Sequence, residues 1–241
     1  MRTAFAWTIG FAYTLFWATL GILTWPFSPR GDLYLRFARI WSRWILASLQ
    51  IPWTVTGRDR LDPNATYLFM ANHQSVFDIF ALFVALEHPL RMIAKRVIFA
   101  IPILGCSLWM CGFIPINRAD RGQAIASLER AARRMGAGLS ILVFPEGTRG
   151  RGGRLAPFKK GGFALALTAG VPIVPVAVVG TDRIMPSGSR RIGRGRISIH
   201  IGAPIPVAGR TPTDRDGLMA EVRAALEQLR AMPVAAGREV G

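Results

Sequence analysis

Acidic residues are scarce in this 241-residue chain: 14 aspartates and glutamates stand against 30 lysines and arginines, for a formal net charge of +16. Lysine is nearly absent too. Only Lys95, Lys159 and Lys160 occur, so arginine supplies almost all the positive charge. Cysteine is limited to Cys106 and Cys111, a spacing that excludes the common zinc and thioredoxin patterns. With apolar neighbours, these two read as buried thiols of a cytoplasmic protein. No internal repeat and no long linker divides the chain. No Gly-x-Ser-x-Gly elbow and no plausible nucleophilic cysteine is present, which argues against covalent catalysis through a serine or cysteine.

What is present is grease and arginine. The chain is 51% hydrophobic with a mean hydropathy of +0.32, too apolar for an ordinary soluble protein of this size. Its length suffices for one α/β domain with a full core and an appendage. A basic, apolar chain suggests anionic lipid as partner more than nucleic acid. The planar fork of arginine suits phosphate.

The apolar excess begins at the N-terminus. Residues Ala4 to Pro26 carry no charge, and about 20 helical residues cross the hydrocarbon layer. No convincing cleavage site follows, so a signal peptide is disfavoured. The next stretch, "DLYLRFARIWSRWILASL", places Arg36, Arg39 and Arg43 on one helical stripe, with Leu33, Phe37, Ile40, Trp41 and Trp44 over much of the rest. That pattern predicts a helix lying among lipid headgroups; the alternative is a core-facing helix with a solvated arginine edge. Either one helix spans and one lies flat, or both dip into a single leaflet. Both arrangements leave the remainder on the cytoplasmic face of the cell membrane.

From residue 51 onward short apolar runs alternate with helical ones. "WTVTG", "TYLFMA", "RMIA", "FIPI", "LSILVF", "PIVPVAVVG" and "RISIHIG" predict strands. "SVFDIFALFVAL", "IPILGCSLWMCG", "ADRGQAIASLERAARRM", "GGFALALTAG" and a closing helix over 211–232 fall between and after them. The fold class is α/β, a mixed and mostly parallel sheet flanked by helices, with an N-terminal membrane-associated helical segment. The expected division is 1–50 for the anchoring helices, 51–210 for the catalytic domain, and 211–241 for a C-terminal helix and a frayed tail.

Three polar islands each follow a predicted strand, where ligands bind in open α/β sheets. The first, "NHQSVFD", sets His73 and Asp78 five residues apart in apolar surroundings. On one helix they would lie about 140° apart. They meet only if His73 sits in the turn before the helix and Asp78 reaches back. Such a pair is either a mutually satisfied structural contact or a base held by its carboxylate. The second island, "GFIPINR", ends in Arg118. The third, "FPEGTRGRGGRLAPFKKGG", combines a tight turn, glycines and arginines; it lacks the Gly-Lys-Ser/Thr tail of a P-loop. His88 and His200 have no ligand partner nearby in sequence.

In this order and register the islands resemble the motifs of the glycerolipid acyltransferases typified by 1-acylglycerol-3-phosphate (lysophosphatidic acid) acyltransferase. "NHQSVFD" is similar to the family's His-four-residues-Asp motif, "GFIPINR" to its second, "FPEGTR" to its third and "VPIVPVAV" to its fourth, over roughly residues 50 to 205. The resemblance implies an acyltransferase with acyl-CoA or acyl-carrier-protein as co-substrate, lysophosphatidic acid as acceptor, and no metal or other cofactor. It further implies that His73 acts as base, oriented by Asp78. Arg118 and Arg149 would hold the acceptor phosphate. Glu146 would bond a glycerol hydroxyl or fix the turn, and Gly147 and Thr148 complete the substrate-binding motif. Another acceptor, a hydrolase using water, and a non-catalytic anionic-lipid-binding protein stay open.

Overall fold

The computed structural model describes residues 1–150 and 154–233. Three residues of the third island, 151–153, and nearly all of the tail expected to fray, 234–241, lie outside the described residues. In chain order the elements are α1 (Arg2–Thr24), α2 (Asp32–Ser48), β1 (Trp53–Thr56), β2 (Leu68–Ala71), α3 (Phe77–Ala85), β3 (Leu90–Lys95), α4 (Leu104–Met110), β4 (Ile114–Ile116), α5 (Arg121–Gly136), β5 (Ser140–Val143), α6 (Lys160–Ala169), β6 (Ile173–Val179), α7 (Thr181–Ile184), β7 (Ile197–Ile201) and α8 (Arg215–Ala231). Short 3-10 turns at Trp25–Phe27, Arg58–Arg60, Arg96–Ala100 and Pro212–Asp214 link some of them.

The seven strands form one sheet in the order β1-β7-β6-β2-β5-β3-β4. Every neighbouring pair is parallel except β6 with β7. The central strands are apolar on both faces because both are covered. On β2, Phe69 and Ala71 face a core built with α2 and α3, while Leu68 and Met70 face a second core built with α5, α6 and α8. The expected stripe of α8, Leu218, Val222, Leu226 and Leu229, is its buried face.

The first two helices are packed onto this body. α1 runs about 35 Å, lies against α2 and α4, and is pinned at both ends. Near its start Trp7 Nε1 donates to the Arg190 carbonyl at 3.0 Å, and just beyond its end Trp25 Nε1 donates to Met110 O at 3.1 Å. Its outward side, with Phe5, Phe11, Phe16 and Leu23, is exposed. On α2 the buried stripe is Leu35, Ala38, Ser42, Ile45 and Leu46; of the aromatic set expected to face lipid, Trp44 is exposed and Phe37 and Trp41 are half-buried. Arg36 and Arg43 are exposed, but Arg39 departs from the expected stripe: its Nη2 turns inward and donates to the carbonyls of Leu86 (3.1 Å) and His88 (3.0 Å), just beyond the end of α3. α4 is shorter than predicted and leaves Cys106 exposed; only Cys111 is buried, its thiol pushed up to about 12 chiefly by burial.

Candidate active site

The site is built where β2 and β5 end. β2 stops at Asn72, whose side-chain amide bridges to the neighbouring strand: Nδ2 donates to Val178 O at 2.9 Å and Oδ1 accepts from Val178 N–H at 2.7 Å. The chain is thereby fixed just before His73. His73 lies in the turn and Asp78 in the first turn of α3, the arrangement the spacing required. Nδ1 of His73 is 2.8 Å from Asp78 Oδ2.

Asp78 is fully buried. The same Oδ2 accepts the backbone N–H groups of Gln74 (2.7 Å) and Ser75 (2.8 Å), and Oδ1 accepts the hydroxyl of Thr181 at the start of α7. With only donors around it, this carboxylate accepts a hydrogen bond from His73 Nδ1–H. Nε2 therefore keeps its lone pair, and it makes no hydrogen bond within the described residues. Phe144, at the end of β5, stacks on the imidazole with centroids 3.9 Å apart and planes 16° from parallel, which supports the ring in this orientation.

The third island clasps the first through its backbone. Glu146 is buried; Oε1 accepts His73 N–H at 2.9 Å and Oε2 accepts Ala156 N–H at 2.8 Å. Gly150 N–H donates to His73 O at 2.7 Å. Of the two roles expected for Glu146, fixing the turn is the one this geometry supports, because both its oxygens are engaged.

Beside the stacked pair opens a cavity of about 390 Å³. Ile93, Ile116, Leu128 and Val143 form apolar walls, and Phe144 is shared with the His73 pair. Its polar end carries Arg118, Gly147, Lys159 and the first glycines of α6, Gly161 and Gly162. Gly147 has φ +77° and faces Arg118, whose Nη1 would be only 3.2 Å from a Cβ at that position. A side chain here would be strained and crowd the guanidinium. Burial pushes Arg118 below the ordinary guanidinium range, and no carboxylate pairs with it among the described residues. A half-buried cation beside a lysine and a helix start is suited to an anion.

His73, Asp78, Glu146, Gly147 and Arg118 are thus brought together. Thr148 and Arg149 are exposed at the tip of the turn and do not line the cavity. Sequence reasoning missed Thr181, Phe144 and Lys159 as site residues. Among the described residues no group of histidine, cysteine and carboxylate side chains is arranged to hold a metal.

Residues 52–179 match the family model described as Acyltransferase. The chain is 36% identical over 208 residues to a 1-acyl-sn-glycerol-3-phosphate acyltransferase of Chlamydomonas reinhardtii, covering 84% of this chain and 62% of that protein. It is 41% identical over 191 residues to a chloroplastic 1-acyl-sn-glycerol-3-phosphate acyltransferase of Brassica napus, covering 75% and 54%. It thus spans little more than half the length of these relatives. The fold is shared with the crystal structure of the 1-acyl-sn-glycerophosphate (LPA) acyltransferase PlsC of Thermotoga maritima, at a TM-score of 0.82 and 24% identity, covering 97% of each chain.

Proposed function

The chain belongs to the acyltransferase family, and from that premise we propose that it transfers a fatty acyl group from acyl-CoA or acyl-carrier-protein to the 2-hydroxyl of 1-acylglycerol 3-phosphate, giving phosphatidic acid. One observation carries this reading. An imidazole held by Asp78 at 2.8 Å and flattened against Phe144 adjoins an apolar cavity with an unpaired guanidinium at one end. The relatives' names agree with the acceptor.

In this mechanism the acceptor phosphate docks on Arg118 and Lys159, and its acyl chain follows the apolar wall. Nε2 of His73 removes the proton from the 2-hydroxyl as that oxygen attacks the thioester carbonyl. Asp78 balances the imidazolium that forms. The tetrahedral intermediate collapses, the C–S bond breaks, and the imidazolium returns the proton to the departing sulfur. No acyl-enzyme is needed. A positioned base of this kind contributes about 10²–10⁴-fold.

Membrane association goes with this reading. α1 exposes an apolar side along its whole length while its other side packs on the body. A helix so attached fits immersion along one leaflet better than an isolated span, and we assign the body to the cytoplasmic face.

Thiol release from acyl-CoA and from acyl-carrier-protein, with and without lysophosphatidic acid, tests the proposal. Release that requires the acceptor, with phosphatidic acid as the product by mass spectrometry, is the expected result. Release without acceptor would indicate a hydrolase. Release only with glycerol 3-phosphate or another lysophospholipid would replace the acceptor. Binding with no release would leave a lipid-binding protein.

A further inference from the structure

At the opposite end of the sheet from His73 lies a second cavity, of about 490 Å³. Its lining includes Trp25 and Arg30 from the connection between α1 and α2, Trp109 from α4, and Arg130 and Arg134 from α5. Gly112 forms part of the floor. The two cavities share β4 and α5 but use opposite ends of them. Between Gly112 and Arg118 runs about 20 Å of extended chain.

Three features set this hollow apart from an ordinary basic surface. First, Arg130 and Arg134 are four residues apart on one helix face, a like-charge pair that weakens an isolated helix. No side-chain hydrogen bond or ion pair engages either of them, or Arg30, among the described residues. The half charge of the carbonyls ending α5 is too small to offset three guanidiniums. Second, Arg91 lies buried beneath, its Nη2 donating to the Arg30 carbonyl and its Nε left without a partner. Asp32 offsets part of that charge. Gly112, at φ +82°, has the Arg134 guanidinium where a side chain would begin, so the approach depends on glycine. Burial and the neighbouring Arg130 both push Arg134 below the usual guanidinium range. Third, the rim is apolar: Trp25, Phe27 and Trp109 are exposed, and Trp109 belongs to α4, which packs against α1. The hollow thus opens where the apolar outer face of the protein ends. A ligand that satisfies both halves has an anionic head and hydrocarbon attached to it.

We propose that this cavity is a second lipid site, in which Arg30, Arg130 and Arg134 hold the headgroup phosphate of an anionic phospholipid of the bilayer while Trp25 and Trp109 lie along its chains. The site is distinct from the acceptor cavity. It rests on the membrane association proposed above and not on acyl transfer. Bound lipid would fix the end of the sheet opposite His73 against the membrane.

The test is co-sedimentation of the full chain with phosphatidylcholine vesicles and with vesicles that also contain phosphatidylglycerol. Arg130→Ala/Arg134→Ala is compared with Arg121→Ala/Arg133→Ala, which removes the same charge from exposed positions on α5 outside the cavity. The cavity pair should lower affinity for the phosphatidylglycerol vesicles about tenfold or more, with binding to phosphatidylcholine unchanged; the control pair should change it by less than about threefold. Equal losses in the two variants would mean net charge and no site, and would overturn the proposal. So would displacement of the protein from vesicles by millimolar inorganic phosphate in the wild type but not in the cavity variant, since that identifies a small-anion site. Thermal melting verifies that both variants fold. Acceptor-dependent thiol release on detergent-dispersed substrate reports separately on the catalytic reading, so the two can fail independently.

Discussion

The two halves of the candidate active site treat buried charge in opposite ways. On the His73 side, two acids are removed from water and all their oxygens are engaged: Asp78 by His73, Gln74, Ser75 and Thr181, and Glu146 by the backbone of His73 and Ala156. On the Arg118 side, a half-buried guanidinium has no acid paired with it among the described residues. Satisfied groups of the first kind hold a geometry. A cation left without a partner, in a cavity with apolar walls, is kept for a ligand, because its desolvation is offset only when an anion arrives.

The largest expected effect breaks the first half. His73→Ala should lower kcat at least about a hundredfold, the contribution of a positioned base. The protein should stay folded and keep its vesicle binding, with a somewhat lower melting temperature, because Asp78 loses one of its four donors and Phe144 loses the ring stacked on it. A rate near wild type would show that this half is only structural. Arg118→Ala probes the other half and should give a smaller effect of a different kind. The apparent KM for the acceptor should rise about tenfold or more, consistent with the loss of one charge-assisted contact, while donor saturation stays unchanged. Because no partner is orphaned, the variant should be no less stable than wild type. If donor KM moved in place of acceptor KM, the phosphate end would be assigned to the wrong substrate.

Much of this was legible before any coordinates. All seven strands coincide with short apolar runs of the sequence, and β1, β5, β6 and β7 are further marked by β-branched residues and nearby glycine or proline. The reach-back of Asp78 followed from a spacing that no single helix could satisfy. Other features depended on distance along the chain. Thr181 is 103 residues from Asp78 and sits on a four-residue helix too short to carry a periodic signal. Arg39 leaves the basic stripe expected of α2 because the carbonyls it meets, those of Leu86 and His88, lie 47 and 49 residues further along the chain. The exposure of Cys106 has another origin: apolar neighbours suggest burial only where the outside is water, and α4 adds Trp109 to an apolar outer face.

Thr181 gives the finest test of the contrast between the halves, because it touches neither cavity nor substrate. Its hydroxyl is one of four donors to Asp78, and the other three come from the His73 turn itself. Thr181 is therefore the donor that ties this turn to the strand end after β6. Thr181→Val keeps the shape and removes the hydroxyl, leaving Oδ1 buried with none of the four donors, since the other three reach Oδ2. A hydrogen bond to a charged group contributes about 1.5–3 kcal/mol, and part of that loss should appear as a lower melting temperature. If the hydroxyl also positions the carboxylate for His73, kcat should fall roughly three- to thirtyfold, a fraction of the same energy, with both KM values unchanged. Thr181→Ser, which retains the donor, should recover most of the rate. A loss of stability in Thr181→Val with kcat untouched would confine Thr181 to the scaffold. Failure of serine to restore the rate would shift the role from the hydroxyl to the methyl group packed beside it.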